Sequence, residues 1–333
     1  MKIAVVSQDQ PHEFEIPKEG PWAYFFSTLV SLGHQIVPIN QQVDLVIFMN
    51  NHSRLLRKLR SNQPKVQCVL VLWEPRVTRP ANFIAKDLNL YDAIFSPSKD
   101  WVNGTKVKFF NWPQCKADLR KLDQKEWLRR SNIPVMFQAN KFSFVRGENY
   151  SLRREIINVF GEELKVFGRD WNSIKLTSLN LLKGFYPVIR DFKQFDISLP
   201  KQIYVRAVNY CGFIPNKRNE LRKSKFSIIV ENSSDYVSEK IFESITTGSL
   251  VLYVGPDLES FGIPANIVVH CPNDANEIFR MYSEIIRDDR KYLTIVENAV
   301  KFHNSKDFYG FVNENVLSKL AEDICREVDV KRV

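Results

Sequence analysis

Short apolar runs alternate with amphipathic segments along the first third of the chain. The stretch GPWAYFFSTLVSLGHQIVPI has aromatic and aliphatic residues at helical spacing, with Gly33 as a stop signal. Around it lie apolar runs that predict buried strands: KIAVV, VDLVIFM, QCVLVLW and DAIFSP. Strands that alternate with helices predict a parallel sheet with both faces covered.

The second half repeats this order after a polar, charged stretch at 116–132, where we place a domain boundary. Its predicted strands are PVMFQAN, ELKVFG, FSIIVE, SLVLYVG and NIVVH, again separated by amphipathic segments. The pattern predicts an α/β protein with two Rossmann-like domains facing a cleft, over 1–125 and 126–333. The terminal helix NENVLSKLAEDICREV is a candidate to pack back toward the first half.

Composition narrows the class of protein only in part. With 333 residues, 44% of them hydrophobic, the chain can bury two cores. A formal charge of +9 permits nucleic acid, an anionic membrane surface or phosphorylated small molecules as partners. The first twenty residues lack a signal-peptide core, which predicts a cytoplasmic protein. The five cysteines support neither a disulfide framework nor a zinc site, because they are far apart and form no CxxC pair: Cys68, Cys115, Cys211, Cys271 and Cys325.

The segment VENSSDYVSEKIFES, residues 230–244, raises a specific question, because a lysine opens a helix there. A cation in the first turn is unfavourable by about 0.3–1 kcal/mol, since the helix N-terminus carries positive partial charge. Lys240 therefore needs a compensating anion. The candidates are the flanking Asp235 and Glu239, or an anionic ligand at the carboxyl ends of the strands, where parallel sheets bind ligands.

The segment FSIIVENSSDYVSEKIFESITTGSLVLYVGP resembles the signature of the α1,3/α1,4-fucosyltransferases: E-N-S, a spacer, Y-V-S-E-K, a helix and a strand ending near Gly-Pro. A weaker similarity covers ENYSLRREIINVFGEELKVFGRDW, where the family's helix-opening arginine falls at Arg153, with the adjacent Arg154 left open. VLVLWEPRVTRPANFIAKDLNLYDAIFSPS resembles the segment that carries the family's acidic residue, here Glu74, although the usual E-S-P reads E-P-R.

The resemblance implies the two-domain GT-B fold and transfer of fucose from GDP-fucose to an N-acetylglucosamine-containing acceptor, with inversion and no required metal. It implies that the second domain binds the donor and the first mainly the acceptor. Positive charge suits the departing diphosphate, and a carboxylate suits removal of the acceptor's proton. The predicted catalytic residues are Glu74, Arg153 and Lys240. The predicted donor contacts are Glu231, Asn232, Tyr236, Glu239, Lys240, Arg153 and Arg154.

Each residue also has a structural explanation. The structural alternative for Lys240 is a solvated helix residue. For Glu74 it is a strand-end carboxylate paired with Arg76. For Arg153 and Arg154 it is a basic helix face paired with Glu148 or Glu155. An aromatic cluster near residue 22 belongs mostly to the core by its spacing, and Trp22 is a candidate to stack on an acceptor sugar.

Two other functions stay open. One is the same fold acting on a different nucleotide sugar. The other is a basic nucleic-acid-binding protein. The basic residues argue against this function, because they are spread along the chain and form no compact nucleic-acid motif. For the transferase we expect an oligosaccharide or glycolipid acceptor, no nucleic-acid partner, and peripheral contact with the anionic inner face of a membrane.

Overall fold

The structure, a computed structural model, describes residues 1–6, 16–114, 121–171 and 198–330. The chain divides into two compact units, Met1–Lys116 with Tyr309–Val333, and Ala117–Phe308. Each unit contains one sheet whose strands all pair in parallel. The predicted class, two parallel-sheet α/β domains, is therefore confirmed.

The sheet of the first unit has six strands in the order β2-β1-β3-β4-β5-β6. They are β1 (Lys2–Val6), β2 (Gln35–Ile36), β3 (Leu45–Met49), β4 (Gln67–Val71), β5 (Ala93–Ser96) and β6 (Val107–Phe109). The sequence pattern did not predict β6. The helices are α1 (Pro21–Ser31), α2 (Ser53–Asn62) and α3 (Ala85–Leu88), with 3₁₀ turns at Pro80–Phe83 and Lys99–Trp101.

Both faces of this sheet are buried, as near-continuous apolar strands require. Val5 and Ile47 belong to a core cluster on one face, whereas Val6 and Phe48 belong to a cluster on the other. Successive side chains of a strand point to opposite faces, which explains this alternation.

The helix α1 starts and stops where the sequence indicates. Pro21 occupies its first position, where the missing N–H costs nothing. The helix ends at Ser31, and Gly33 follows in the left-handed region with φ 79°.

The C-terminal helix α10 (Asn313–Val330) packs on α1 and belongs to the first unit. Leu317, Leu320 and Ile324 bury their side chains in the core cluster that also contains residues of α1. The predicted second domain, 126–333, included this helix. The structure assigns it differently, because its apolar stripe completes one face of the first sheet.

The sheet of the second unit has five strands in the order β11-β10-β9-β7-β8. They are β7 (Val135–Phe137), β8 (Lys165–Phe167), β9 (Phe226–Val230), β10 (Leu250–Val254) and β11 (Val269–His270). The helices are α4 (Gln124–Arg129), α5 (Tyr150–Phe160), α6 (Lys217–Leu221), α7 (Glu239–Ile245), α8 (Ala275–Ile285) and α9 (Leu293–His303). Short 3₁₀ turns lie at Gly161–Glu163, Glu259–Phe261, Ala265–Ile267, Asp289–Tyr292 and Asp307–Phe311.

The order of the second sheet reverses between β7 and β9. From β7 the chain moves outward to β8 on one side, and from β9 outward to β10 and β11 on the other. In open parallel sheets, ligands bind outside the carboxyl ends of the strands at such a switch point. The fold thus directs attention to the residues that follow β7 and β9.

Candidate active site

A buried carboxylate organises the first turn of α7. Glu231 follows β9 directly, and its side chain has no exposed surface. Its Oε1 accepts the backbone N–H of Ser238 at 2.9 Å, and its Oε2 accepts the Ser238 hydroxyl at 2.7 Å. Lys240 Nζ donates to Glu231 Oε2 at 3.1 Å and to Ser238 Oγ at 2.6 Å. These two hydrogen bonds hold the ammonium group in place, and 14% of the Lys240 side chain is exposed.

This ion pair compensates the lysine at the start of the helix. The carboxylate that pairs with Lys240 is Glu231, and not one of the two flanking candidates, Asp235 and Glu239. Asp235 instead accepts the Ser233 hydroxyl at 2.6 Å. The contact of Glu231 with the donor stays a prediction, and the structure shows only the hydrogen bonds that Glu231 makes within the protein. Both of its oxygens are buried and already accept hydrogen bonds, so Glu231 positions Lys240 and Ser238.

Arg153 lies on α5 and joins that helix to the end of β9. Its side chain is almost fully buried, and Nη2 donates to Val230 O and to Asn232 Oδ1, both at 2.7 Å. Burial lowers the pKa of Arg153, and the charge of Glu231 opposes this shift. The buried Nε has no hydrogen-bond partner among the described residues. An unpartnered donor is costly in a buried site and provides a place for an acceptor.

Arg154 points into a different part of the unit. Its Nε donates to Gln202 O at 2.5 Å, and its Nη1 donates to Lys141 O at 2.6 Å. The guanidinium carbon lies 4.1 Å from the ring centre of Phe142. Burial lowers its pKa to about 10. Arg154 thus binds two loops of its own unit, and its contact with the donor stays a prediction.

Two of the remaining predicted donor contacts, Asn232 and Glu239, interact with Arg153. Asn232 accepts from Arg153 through its side chain, and its carbonyl oxygen accepts the backbone N–H of Asn149 at 3.1 Å. Tyr236 is buried at 3% exposure. Glu239, the first residue of α7, is partly exposed, and its charge raises the pKa of Arg153.

Sequence reasoning missed Gln138 and Tyr253. Gln138 follows β7 directly and donates from Nε2 to Val230 O at 2.9 Å. Its Oε1 and the Tyr253 hydroxyl are buried and have no partner within the described part of the chain. Burial raises the pKa of Tyr253 well above its ordinary value, and the nearby Glu231 adds to this shift. The available signal was a polar residue near the end of the predicted strand PVMFQAN, whereas Tyr253 lies inside an apolar run.

Two glycines allow the backbone to come close at this edge. A β-carbon at Gly255 would lie 2.4 Å from the Tyr253 hydroxyl oxygen and 2.9 Å from Glu231 Cγ. A β-carbon at Gly168 would lie 2.0 Å from the carbonyl oxygen of Gln138, and its φ is 132°. Only glycine fits without a shift of the surrounding atoms.

Glu74 belongs to the first unit, whereas the other predicted site residues belong to the second. It lies in a bend three residues after β4 and is partly buried. The preceding Trp73 donates its backbone N–H to Asn50 Oδ1 at 3.1 Å, and Asn82 Nδ2 donates to the same oxygen at 2.7 Å. Asn50 is fully buried with φ 73°, a region that residues other than glycine seldom occupy. A buried amide network therefore fixes the backbone that leads into Glu74.

The described residues contain no helix that is both long and apolar enough to cross a bilayer. No family model matches the chain.

The two parallel-sheet domains define the class of fold, that of the GT-B glycosyltransferases. A crystal structure of an α1,3-fucosyltransferase superposes on the chain with a TM-score of 0.59, at 14% identity, over 98% of this chain and 90% of that one. HepE of Anabaena, crystallised with UDP and glucose, gives a TM-score of 0.55 at 12% identity, over 98% of this chain and 100% of that one. At these identities the likeness shows the fold alone. It does not favour the nucleic-acid-binding alternative.

A sequence similarity is more particular. Over 122 residues the chain is 28% identical to the 4-galactosyl-N-acetylglucosaminide 3-alpha-L-fucosyltransferase 9 of Cricetulus griseus, which is 35% of this chain and 31% of that protein. The proteins of that name from Mus musculus and Homo sapiens give the same identity and coverage. The chain therefore spans about a third of the length of the curated relatives it matches.

Proposed function

We propose that the protein transfers fucose from GDP-fucose to a hydroxyl of an N-acetylglucosamine-containing oligosaccharide or glycolipid, with inversion. The observation that carries this proposal is the cationic arrangement at the β7/β9 switch point, where Glu231 positions Lys240 and where Arg153 presents an unused donor. The similarity to fucosyltransferase 9 supports fucose as the transferred sugar. A solved α1,3-fucosyltransferase of the same fold was crystallised with GDP-fucose.

Lys240 has the hydrogen-bonding capacity to hold a phosphate oxygen. A lysine ammonium has three N–H donors, and the described residues accept two hydrogen bonds from it, at Glu231 and Ser238. The third donor is left for a ligand. When GDP departs, negative charge grows on the diphosphate, and a cation already in position stabilises it without reorganisation.

Arg153 supplies the second cation. Its Nη2 donates to Val230 O and Asn232 Oδ1, which fixes the plane of the guanidinium group. The buried Nε has no hydrogen-bond partner among the described residues. An oriented guanidinium group matches the geometry of phosphate oxygens better than a flexible ammonium group does. Asn232, Tyr236 and Glu239 are proposed to contact the ribose or the sugar.

Glu74 is the proposed general base. The acceptor hydroxyl must lose a proton as it attacks the sugar, and a carboxylate within hydrogen-bond reach of that hydroxyl removes it. The amide network at Asn50 and Asn82 holds the backbone that precedes Glu74. Independence from metal and contact with an anionic membrane remain predictions.

The second candidate is the same fold using another nucleotide sugar. HepE has a similar fold and was crystallised with UDP-glucose, which favours testing a uridine donor beside GDP-fucose.

The test is calorimetric titration of GDP, GDP-fucose and UDP-glucose into the wild type and Lys240→Met, without added metal. A charged hydrogen bond to phosphate is worth about 1.5–3 kcal/mol, so GDP affinity should fall roughly 10- to 150-fold. Lys217→Met is the matched control. Lys217 opens α6 and pairs at 2.8 Å with Glu243, which lies on α7 as Lys240 does. Its GDP affinity should stay within about twofold of the wild type.

Lys240→Met leaves the buried Glu231 unpaired and therefore also destabilises the fold. The double variant Glu231→Gln/Lys240→Met removes both charges and separates the two effects. It should recover thermal stability without recovering GDP binding. A wild type that binds UDP-glucose but not GDP-fucose would favour the second candidate, and a wild type that binds no nucleotide would contradict both.

A further inference from the structure

Three tryptophans meet at the carboxyl edge of the first sheet. Trp22 lies in the first turn of α1, Trp73 two residues after β4, and Trp112 three residues after β6. The ring centres of Trp22 and Trp73 are 4.8 Å apart, and those of Trp73 and Trp112 are 4.5 Å apart. We call this cluster of Trp22, Trp73 and Trp112 the tryptophan platform.

Buried phenylalanines support the platform from below. Phe110 stacks on Trp73, with the ring centres 5.8 Å apart and the planes 20° from parallel. Phe25 meets Trp22 edge to face at 5.8 Å. Both phenylalanines belong to the core, whereas the three tryptophans remain partly exposed. The partly exposed tryptophans of the platform thus pack on buried aromatic residues of the core.

The indole N–H groups of the platform provide donors. Those of Trp22 and Trp73 donate to no residue in the described part of the chain, and they are not buried. A buried indole N–H normally finds a protein partner, so these two rings combine an apolar face with an N–H available to a ligand.

The backbone around the platform is fixed at two points. Asn50 accepts the backbone N–H of Trp73, as described above. Gln114 donates from Nε2 to Trp112 O at 3.1 Å, and its own backbone N–H donates to Phe311 O at 2.7 Å, which ties this segment to the C-terminal part of the unit. Glu74, the proposed base, follows Trp73 directly in the chain.

We propose that the tryptophan platform binds a pyranose ring of the acceptor glycan beside Glu74, an inference that rests on the proposed function. A pyranose has one apolar C–H face and a rim of hydroxyl groups. Flat apolar rings with N–H donors at the edge match both parts. Sites of this kind combine aromatic walls with a few polar groups that fix orientation.

A protein partner fits this surface less well. Stable protein interfaces bury about 800 Å² on each partner, around an apolar centre. The platform consists of three partly exposed rings, and a polar residue adjoins two of them in the chain: Glu74 follows Trp73, and Asn111 precedes Trp112. An aromatic cluster of three rings, with Glu74 next to Trp73 in the chain, suits one or two sugar rings.

The test compares Trp112→Ala and Trp22→Ala with the wild type in transfer from GDP-fucose to an N-acetyllactosamine oligosaccharide. Loss of one stacked ring should raise the acceptor KM about tenfold. Release of GDP by transfer to water, and GDP affinity, should stay within about twofold, because neither involves the acceptor. Trp101→Ala is the control, since Trp101 packs on Phe83 at 4.8 Å in the same unit but outside the platform.

The outcomes separate this inference from the proposed function. If the enzyme transfers fucose and the two platform variants keep the wild-type acceptor KM, the platform does not bind the acceptor, and the proposed function stands. If the protein uses no nucleotide sugar as a donor, tryptophan fluorescence titration with the same oligosaccharide tests whether the platform binds it. Binding by the wild type that is lost in Trp112→Ala but kept in Trp101→Ala supports the platform, and absence of binding by the wild type overturns it.

Discussion

The carboxyl edges of the two sheets are built from different side chains. The edge of the first sheet contains the stacked tryptophans and the neutral amides of Asn50 and Asn82. Asn50 accepts the backbone N–H of Trp73, which precedes Glu74. At the edge of the second sheet, the buried Glu231 pairs with Lys240, and Arg153 is held nearby. Two domains with similar parallel sheets thus carry different chemistry at equivalent positions.

The difference teaches how a shared fold is adapted to two ligands. Replacing a buried ion pair by apolar residues is often neutral or stabilising, so stability does not explain why Glu231 and Lys240 are present. Under the proposed function, a lysine positioned to bind an anion does explain it. Under the proposed function, the ionic edge serves a charged diphosphate and the aromatic edge serves a neutral sugar.

The strongest test of the ionic edge is Glu231→Ala. This change leaves the ammonium of Lys240 without its carboxylate and removes two acceptors from Ser238. Loss of one partner of a buried pair costs about 3–5 kcal/mol, which urea unfolding at pH 7 should record.

Glu239→Ala is the matched control for that change, because Glu239 precedes Lys240 on α7, is partly exposed and forms no ion pair among the described residues. Its cost should stay near 0.5 kcal/mol. Equal costs for the two variants would mean that Glu231 does not organise this edge.

The aromatic edge should depend instead on the neutral amide of Asn50. Asn50→Gly removes the oxygen that accepts from Trp73 and Asn82 but keeps the left-handed backbone, at a cost of about 2 kcal/mol. Asn50→Ala adds the strain of a β-carbon at φ 73° and should cost about 1 kcal/mol more. Urea unfolding of both variants gives the two values. An alanine variant more stable than the glycine variant would argue against the left-handed conformation.

Acid should lower the stability of the second unit through His303. This imidazole is buried against Phe308 with a ring distance of 4.1 Å, and neither ring nitrogen has a partner within the described residues. Burial, and then the charge of Arg218, lower its pKa from 6.5 to about 4. Because the unfolded chain takes up the proton first, stability is present above pH 6.5 and is lost as the pH falls toward 4.

The loss attributable to His303 at pH 5 should be about 2 kcal/mol. Urea unfolding of the wild type and His303→Phe at pH 7 and pH 5 measures it. The wild type should lose more stability than the variant over this interval. Identical losses would show that His303 takes up its proton equally in the folded and unfolded states.

Much of the fold could be predicted because a buried segment has a recognisable local pattern of apolar residues. Apolar runs predicted β3, β4, β5, β9 and β10, and Gly33 and Pro21 marked the ends of α1. The place of Lys240 in the first turn of α7 followed from the same reading. β6 was missed because only one of its three residues, Val107, is buried, and a short edge strand has little apolar pattern.

The candidate site could be predicted only as a set of residues. Arg153 and Arg154 are neighbours in sequence with the same chemistry, yet one reaches the end of β9 and the other binds two loops. Their directions differ because successive residues of a helix lie about 100° apart around its axis. Nothing local to the pair indicates which side faces β9.

The sequence by itself determined the two α/β halves, the strand ends that carry polar residues, and the presence of a cation at the start of α7. Only the tertiary structure decided that Glu231 pairs with Lys240, that Arg153 meets Val230 from 77 residues away, and that α10 completes the first unit. The physical reason is range. Periodicity and capping act within a few residues, whereas strand order determines which distant side chains share one buried edge.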